Sequence, residues 1–362
     1  MGPAMNEDDS HMRHALVLAG RGLGMVAPNP AVGCVLIRDN HIVGRGWTGR
    51  GGRPHAETVA LAQAGEAARG ATAYVTLEPC AHHGQTPPCA NALIAAGVTR
   101  VVVAVGDPDP RVNGRGIEML RAANLDVTTG VCERDAAALN QGFFLKVREN
   151  RPLVTLKIAQ CRDGKTIAPP GGSKWITGEA ARRYGHLLRA KNDAILVGVN
   201  TALADDPELT SRLPGLEDRS PLRVVLDSRL RLPPSSKLAQ TARQVPTLLF
   251  TLAQNGAALR DAGVEILRLV MDDGDRPDLA AVLGVLAHRG ITRLLVEGGA
   301  TVHGAFLQSG FADRLEVFTA SADLGPGGRG VIAGLAGAIS RFEKTGMRRF
   351  GPDVLETYAA PA

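Results

Sequence analysis

Residues 55–89 read HAETVALAQAGEAARGATAYVTLEPCAHHGQTPPC. The stretch opens on His55-Ala56-Glu57, returns to reactive side chains at Glu78-Pro79-Cys80, and closes on Cys89. Pro54 precedes a helical pattern from about His55 to Arg69, with Val59, Leu61 and Ala62 on its apolar side. Ala73 to Leu77 is strand-like, and Cys89 opens a second helical pattern over Ala90 to Ala96. One imidazole and two thiolates are three soft-to-borderline ligands, a set that suits zinc with its fourth position left for water. Zinc lowers the pKa of such a water toward about 7, which supplies a nucleophile at neutral pH. Glu57 lies two residues from His55, close enough to handle the water's protons without being a ligand. A thiolate at the start of a helix, as expected for Cys89, is favoured by the helix dipole.

A closed structural zinc site would need a fourth protein ligand, which His82 or His83 could supply; unrelated buried cysteines are the other plain alternative. The H-x-E…P-C-x-x-C signature of zinc nucleobase deaminases is the nearest pattern. Here the two cysteines are nine positions apart rather than three, so the match is one of chemistry and not of spacing.

Composition narrows the class. A chain of 362 residues is long for one domain and comfortable for two. Aromatic residues are 4% of the chain, too few for the stacking platforms of single-strand nucleic-acid binding. A net charge of +5 is modest and dispersed, and anionic small substrates account for it as well as nucleic acid would. Five scattered cysteines make no disulfide framework, no signal-peptide core is seen, and no apolar run reaches the roughly 18 residues of a membrane helix. The expectation is a cytoplasmic enzyme that engages neither nucleic acid nor a membrane.

Asp9 to Gly24 reads as a first helix, and Pro28-Asn29-Pro30 as an extended turn. Ala31–Ile37 and Ile42–Trp47 form a hairpin across Asp39-Asn40, followed by the loop Gly49–Arg53, whose two arginines either hold a phosphate or are simply solvated. Arg100–Val105 is a buried strand, Gly116–Asn124 a helix, and Asp126–Phe144 a strand and helix that finish the unit. A charged stretch ending in Pro152 marks the boundary, giving domains 5–149 and 150–362. The second domain starts at the strand Leu153–Ala159 and the Gly/Pro-rich loop Asp163–Ser173. Helices at Glu179–Lys191 and Leu279–His288 alternate with strands at Ala194–Val199, Leu222–Leu226, Thr247–Phe250 and Thr292–Glu297. Alternation of this kind implies a sheet covered on both faces. The turn at Gly298-Gly299, before a helix from about Thr301, gathers backbone amides at a positive helix end, a common phosphate cradle. No GxGxxG follows a first strand, so a Rossmann domain is not indicated.

Taken together, these motifs resemble one family, the bifunctional riboflavin-biosynthesis deaminase–reductases, from about Asp9 to Tyr358. The first half is similar in Pro28-Asn29-Pro30-Ala31-Val32-Gly33, His55-Ala56-Glu57, and Thr76-Leu77-Glu78-Pro79-Cys80 with Cys89 after Pro87-Pro88. The second half is similar in Lys157, Asp163-Gly164-Lys165, Ser173-Lys174-Trp175-Ile176-Thr177, Leu203-Ala204-Asp205-Asp206-Pro207, Val225-Leu226-Asp227-Ser228, Glu297-Gly298-Gly299 and Gly351-Pro352-Asp353-Val354. The resemblance implies an α/β chain: a cytidine-deaminase-like α/β/α domain with zinc, then a dihydrofolate-reductase-like α/β domain using NADPH. It implies hydrolysis of the 2-amino group of 2,5-diamino-6-(5-phosphoribosylamino)pyrimidin-4(3H)-one, then reduction of the ribosyl side chain to ribityl. By motif match, His55, Cys80 and Cys89 would hold the metal and Glu57 would shuttle protons. NADPH contacts would fall on Ala159, Trp175, Thr201, Asp205, Ser228, and the run Gly299, Ala300, Thr301, Val302, His303, Gly304, Ala305. Contacts to the reductase substrate would fall on Ser173, Arg189, Leu209, Arg212 and Glu297, the two arginines suiting a phosphate. The partners implied are the phosphorylated pyrimidine, NADPH and further copies of the chain as a homo-oligomer.

Two departures stand out. Gln85 occupies a place where the family pattern usually has a basic residue, and Gln160-Cys161-Arg162 replaces small and apolar residues before Asp163-Gly164. The competing reading is a zinc deaminase of another nucleotide or a tRNA base, fused to a non-catalytic nucleotide- or RNA-binding module.

Overall fold

Asp39 and Asn40 both adopt positive φ, 50° and 61°. A two-residue hairpin needs that pair of left-handed residues, and Asn and Asp tolerate it. The turn closes β1 (Gly33–Arg38) on β2 (His41–Trp47). The computed structural model describes residues 6–361 except 83–86, 167–174, 270–275, 329 and 331. The chain divides into two compact units, Met1–Glu149 and Asn150–Ala362.

In the first unit the remaining elements are α1 (Glu7–Ala19), α2 (Ala56–Ala64), β3 (Thr72–Val75), α3 (Cys89–Ala95), β4 (Arg100–Val103), α4 (Arg115–Ala122), β5 (Asp126–Thr129) and α5 (Glu133–Glu149). The sheet order is β2-β1-β3-β4-β5, with β1 antiparallel to its neighbours and β3, β4 and β5 parallel. Strand period 2 sorts the side chains into two layers. Cys34, Leu36, Ala73, Val75, Val101 and Val103 face α2 and α3 through Ala56, Ala60 and Leu93. Val35, Tyr74 and Val102 face the other way, onto Met12, Ala15 and Leu16 of α1 and Ala136 of α5. The result is an α/β/α sandwich. Its first helix is tied to the sheet at Asp8, which accepts both Nη atoms of Arg100 at 2.9 and 2.7 Å and the Tyr74 hydroxyl at 2.8 Å.

Two helices differ in extent from the expectation. The first begins at Glu7, because the Asn6 side chain caps it, and its regular part ends at Ala19, before a tighter turn over Gly20–Gly22. The second stops at Ala64, where Gly65 takes φ 53°, and a 3₁₀ turn carries the chain to Ala68.

The second unit contains β6 (Leu153–Gln160), α6 (Glu179–Ala190), β7 (Ala194–Gly198), α7 (Val199–Asp205), β8 (Leu222–Leu226), α8 (Lys237–Gln240), β9 (Thr247–Thr251), α9 (Ala257–Asp261), β10 (Glu265–Arg268), α10 (Leu279–His288), β11 (Arg293–Val296), α11 (Ala300–Gln308), β12 (Arg314–Thr319), α12 (Leu335–Ile339), β13 (Glu343–Phe350) and β14 (Asp353–Ala359). Its sheet runs β10-β9-β8-β7-β11-β6-β12-β14-β13. The strands from β10 to β12 are parallel, and β14 and β13 complete one edge as an antiparallel pair. After β7 the chain continues outward to β8, whereas after β11 it crosses to β12 on the opposite side. Chain directions therefore diverge between neighbours β7 and β11, which opens a crevice at their carboxyl ends, the usual ligand position in such sheets.

Gly33 shows how tightly the first unit is packed, since a Cβ there would lie 2.0 Å from the Ala15 carbonyl oxygen. Gly33→Ala is expected to push α1 off the sheet and lower stability by about 1–3 kcal/mol. Urea unfolding followed by far-UV circular dichroism checks it; a midpoint equal to that of the parent chain would contradict the packing described.

Candidate metal centre and cofactor crevice

Three segments deliver the metal donors, each by its own local rule. His55 is the residue before α2, with extended backbone, so its ring projects past the helix end. Cys80 follows the end of β3 after Glu78-Pro79. Cys89 is the first residue of α3, behind Pro88, which pre-sets the entry to the helix. The three ligand atoms lie within 4.8 Å of one another. His55 Nδ1 is 3.2 Å from Cys89 Sγ and 3.7 Å from Cys80 Sγ, and the Cys89 amide donates to Cys80 Sγ at 3.2 Å. Such separations fit bonds of about 2.0–2.3 Å to one central ion. The Cys89 thiol, the His55 ring and the Cys89 amide all favour charge on Cys80 and hold it down at about 4. The Cys89 thiol is pushed up because it donates to Cys80, and His55 is raised by the same sulfur. One shared proton in a buried thiol pair explains both directions, and a divalent cation would replace it.

Glu57 sits in the first turn of α2, 3% exposed. Burial pushes its carboxyl up to about 7, and its side chain reaches the Cys89 sulfur. It is not one of the three donors of the cluster. Among the described residues no fourth protein ligand joins the cluster. His82 is not part of it, and His83 and Gln85 lie outside the described residues. The loop before His55 is pinned rather than open: Gly49 N donates to Pro54 O at 2.9 Å and Gly51 N to Met25 O at 2.8 Å.

Asn140 is a residue that sequence reasoning missed. It comes from α5 and holds Ala31 from both sides, accepting from its N–H at 2.9 Å and donating to its carbonyl at 3.0 Å. No local pattern could have found a contact across 109 positions.

In the second unit, the crevice between β7 and β11 is shaped by glycines. A Cβ on Gly298 would meet the Val197 backbone and side chain at 2.9–3.0 Å, and one on Gly198 would meet Val302 at 2.8 Å. Gly299, at φ 68°, turns the chain into α11, and a Cβ there would stand 3.0 Å from Thr201 Oγ1. Thr201 and Gly299 are thus brought face to face. The first turn of α11 leaves the amides of Ala300, Thr301 and Val302 without helical acceptors. The His303 amide is already bonded to Gly299 O, and its ring is buried, donating to Val296 O at 3.2 Å. Gly304 and Ala305 lie deeper in the helix. Asp205 ends α7, Ser228 follows β8, and the Ser228 carbonyl accepts from Leu252 N and Thr251 Oγ1. Ala159 pairs with Phe318 in the sheet. Trp175 is 52% exposed, with the Arg182 guanidinium 4.8 Å above its ring.

Arg189 and Glu297 form a buried two-point pair, Nε to Oε1 at 2.8 Å and Nη2 to Oε2 at 2.7 Å, with side chains 16% and 8% exposed. Burial alone would push the Glu297 carboxyl up, but Arg189 holds it down at about 2. Arg189 Nη1 also donates to Thr210 O at 3.1 Å, so each of its nitrogens is engaged. Leu209 is buried at φ 56°, a strained angle for a leucine, in a loop held by His186 and Arg189 at Thr210 O and by Arg223 at Glu208 O. Arg212, paired with Glu208 at 3.1 Å, is half exposed. Ser173 lies outside the described residues. Lys157, to which its motif alone gives no role, lies close enough to Glu297 and Arg189 to feel both charges, and burial draws its ammonium down. Arg162 pairs with Asp323 through Nε and Nη2 at 3.0 and 2.6 Å, which accounts for its place before Asp163.

Comparison with known proteins matches both units. A model of the cytidine and deoxycytidylate deaminase zinc-binding region covers residues 5–105, and one of the RibD C-terminal domain covers 152–355. The riboflavin biosynthesis protein RibD of Aquifex aeolicus is 45% identical over 322 residues, 88% of either chain, and that of Escherichia coli is 42% identical over 96% of this chain and 98% of the other. Among solved structures, Acinetobacter baumannii RibD superposes with a TM-score of 0.86 at 39% identity, covering 98% of this chain and 99% of that one. A diaminohydroxyphosphoribosylaminopyrimidine deaminase/5-amino-6-(5-phosphoribosylamino)uracil reductase from Thermotoga maritima gives 0.85 at 34%, with the same coverage.

The donor set predicts about one zinc per chain. Cys80→Ser and Cys89→Ser are each expected to lose the metal, while NADPH binding survives. Inductively coupled plasma mass spectrometry and NADPH fluorescence read the two separately. Full zinc occupancy in both variants would remove the ligand assignment.

Proposed function

Because the chain belongs to the RibD family of riboflavin-biosynthesis enzymes, we propose that Met1–Glu149 is the deaminase and Asn150–Ala362 the reductase. The chain is a bifunctional enzyme: a zinc-dependent deaminase joined to an NADPH-dependent reductase. It replaces the 2-amino group of 2,5-diamino-6-(5-phosphoribosylamino)pyrimidin-4(3H)-one by oxygen, releasing ammonia, and then reduces the ribosyl side chain to ribityl. The observation that carries the assignment of the first unit is the His55, Cys80 and Cys89 cluster with buried Glu57 beside it.

Bound by His55, Cys80 and Cys89, zinc would lower the pKa of a water toward about 7 and so make it nucleophilic. Glu57 takes a proton from the attacking water and hands it to the amine nitrogen as the C–N bond breaks and ammonia leaves, and the water's other proton ends on the adjacent ring nitrogen as the C=O forms. Its raised pKa suits both halves of that transfer near neutral pH. Pro54, pinned through its carbonyl by Gly49 N, leads directly into the ligand His55.

In reduction, NADPH when bound would supply a hydride to the anomeric carbon while the ring C–O bond breaks and its oxygen takes up a proton. The amides of Ala300 to Val302 at the start of α11 would hold a cofactor phosphate, and Thr201, Asp205, Ser228, Trp175 and Ala159 would contact the rest of it. Arg189 fixes Glu297 in its ionised form, so Glu297 accepts hydrogen bonds from the sugar hydroxyls. Lys157, an ammonium drawn down by burial, holds a proton beside that carboxylate. With Arg189 engaged on Glu297, Arg212 is the freer phosphate contact, releasing Glu208 to take it; Leu209 sets the loop, and Ser173 completes the substrate set. The five free cysteines support a reducing cytoplasmic setting, and no described helix is long and apolar enough to cross a membrane. A homo-oligomer that binds no nucleic acid completes the reading.

Glu57→Gln keeps size and polarity but cannot carry a proton. Ammonia release should fall by about 10²–10⁴-fold with zinc retained; near-parental turnover would reduce Glu57 to a helix-start acid. Gly299→Val should raise the NADPH concentration needed for half-maximal reduction and leave ammonia release unchanged. Equal loss of both activities in folded protein would overturn the division into two catalysts.

A further inference from the structure

Glu78 is 4% exposed, and its carboxylate collects four backbone N–H groups. Oε2 accepts from Asp107 at 3.2 Å and Gly114 at 3.0 Å; Oε1 accepts from Gly116 at 2.9 Å and Ile117 at 3.3 Å. The last two amides belong to the first turn of α4, where a negative group is favoured and helical acceptors are absent. One side chain therefore holds both ends of the segment Asp107-Pro108-Asp109-Pro110-Arg111-Val112-Asn113-Gly114.

That segment is otherwise bonded mainly to itself. Asp107 Oδ1 accepts from Asp109 N at 2.8 Å, Asp109 Oδ1 from Arg111 N at 2.9 Å, Asp109 O from Val112 N at 2.8 Å, and Val112 O from Arg115 N at 2.7 Å. Pro108 and Pro110 have no N–H to give. These bonds close turns but do not tie the loop to the sheet. The ligand turn, in contrast, is held without the Glu78 carboxylate: Glu78 N donates to Val105 O at 2.9 Å, Ala90 N to Cys80 O at 3.3 Å, and Cys89 N to Cys80 Sγ at 3.2 Å.

The loop and the helix start that follows it lie beside the turn that carries Cys80. A Cβ on Gly116 would come 1.9 Å from Pro79 O, the carbonyl that precedes Cys80. The Asp109 carboxylate lies in the field of His82, two residues past Cys80. Both contacts are at the carboxyl ends of parallel β3 and β4, where a substrate enters such a sheet.

We infer that Glu78 is a positioning residue for deamination, pinning the 107–114 loop as a wall of the substrate pocket beside Cys80 while leaving metal binding to the independently held ligand turn. The inference rests on the reading of the first unit as a deaminase. Glu78 touches neither the metal donors nor the reacting atoms, so its effect falls on how tightly the pyrimidine is held.

Glu78→Gln turns one oxygen into an NH₂ that faces two N–H donors, and Glu78→Asp shortens the arm so that one carboxylate no longer spans both amide pairs. In the full zinc-loaded chain, both are expected to raise KM for ammonia release by about tenfold or more and to leave kcat within about threefold. Zinc content should stay near one per chain, and NADPH oxidation on the deaminated substrate should be unchanged as an internal control. A KM within about twofold of the parent for both variants overturns the inference. So does loss of zinc, or failure of the first unit to fold, because either outcome makes Glu78 a support of the fold or the metal. A parent chain that releases no ammonia would instead fault the deaminase reading, and the two failures are told apart by that single control.

Discussion

A carboxylate leaves water only if donors or cations meet it, and the cost of leaving one unmet runs to several kcal/mol. Three glutamates in this chain are met to different degrees, and their chemistry follows. Glu78 is met by four amides. Glu297 is met by one guanidinium at two points and is held down at about 2. Glu57 is met only by its own backbone N–H and the Cys89 thiol, and burial outweighs them and pushes it up to about 7. A carboxylate fully met by donors is fixed as an anchor or an acceptor. Only the poorly matched one is poised to gain and lose a proton near neutral pH.

The metal donors show the same constraint from the side of the sulfur. Two thiols and an imidazole packed within 4.8 Å cannot each keep their solution state. The Cys89 thiol donates to Cys80, which draws the Cys80 thiol down and pushes the Cys89 thiol up. A divalent cation satisfies all three donors at once, so metal affinity and the burial of the cluster depend on each other. The nine-residue spacing between the cysteines is no obstacle, because Cys80 ends a strand turn and Cys89 opens a helix that returns to it. Spacing in such sites is set by the path of the loop, while the ligand chemistry stays fixed.

Much of this was legible in the sequence because local chemistry dictates it. The Asp39-Asn40 turn, the apolar strands of both sheets, the helix start at Cys89 and the Gly298-Gly299 turn each announce themselves within a few residues. What was not legible is long-range or charged. The edge strand β13 escaped because EKTGMRRF is mostly exposed and carries the lysine and arginines that protect an edge from pairing. Arg162 is out of place in its local sequence and makes sense only beside Asp323, 161 positions away. Asn140 and Glu78 act on backbone groups 109 and 29–39 positions distant, a relation with no periodic signature.

Arg189 shows why a residue's type alone does not give its role. An arginine in a site for a phosphorylated substrate invites assignment to the phosphate, since a planar fork suits that anion. Here both prongs of the fork are occupied by Glu297, and the remaining nitrogen holds the Thr210 carbonyl. Moving Arg189 to a phosphate would strand a buried carboxylate, a loss comparable to what the new ion pair would contribute. Arg212 faces no such cost, because its partner Glu208 is itself half exposed and is readily solvated when released. Between the helix-borne Arg189 and the loop-borne Arg212, the one with the weaker existing bond is the one free to take a new anion.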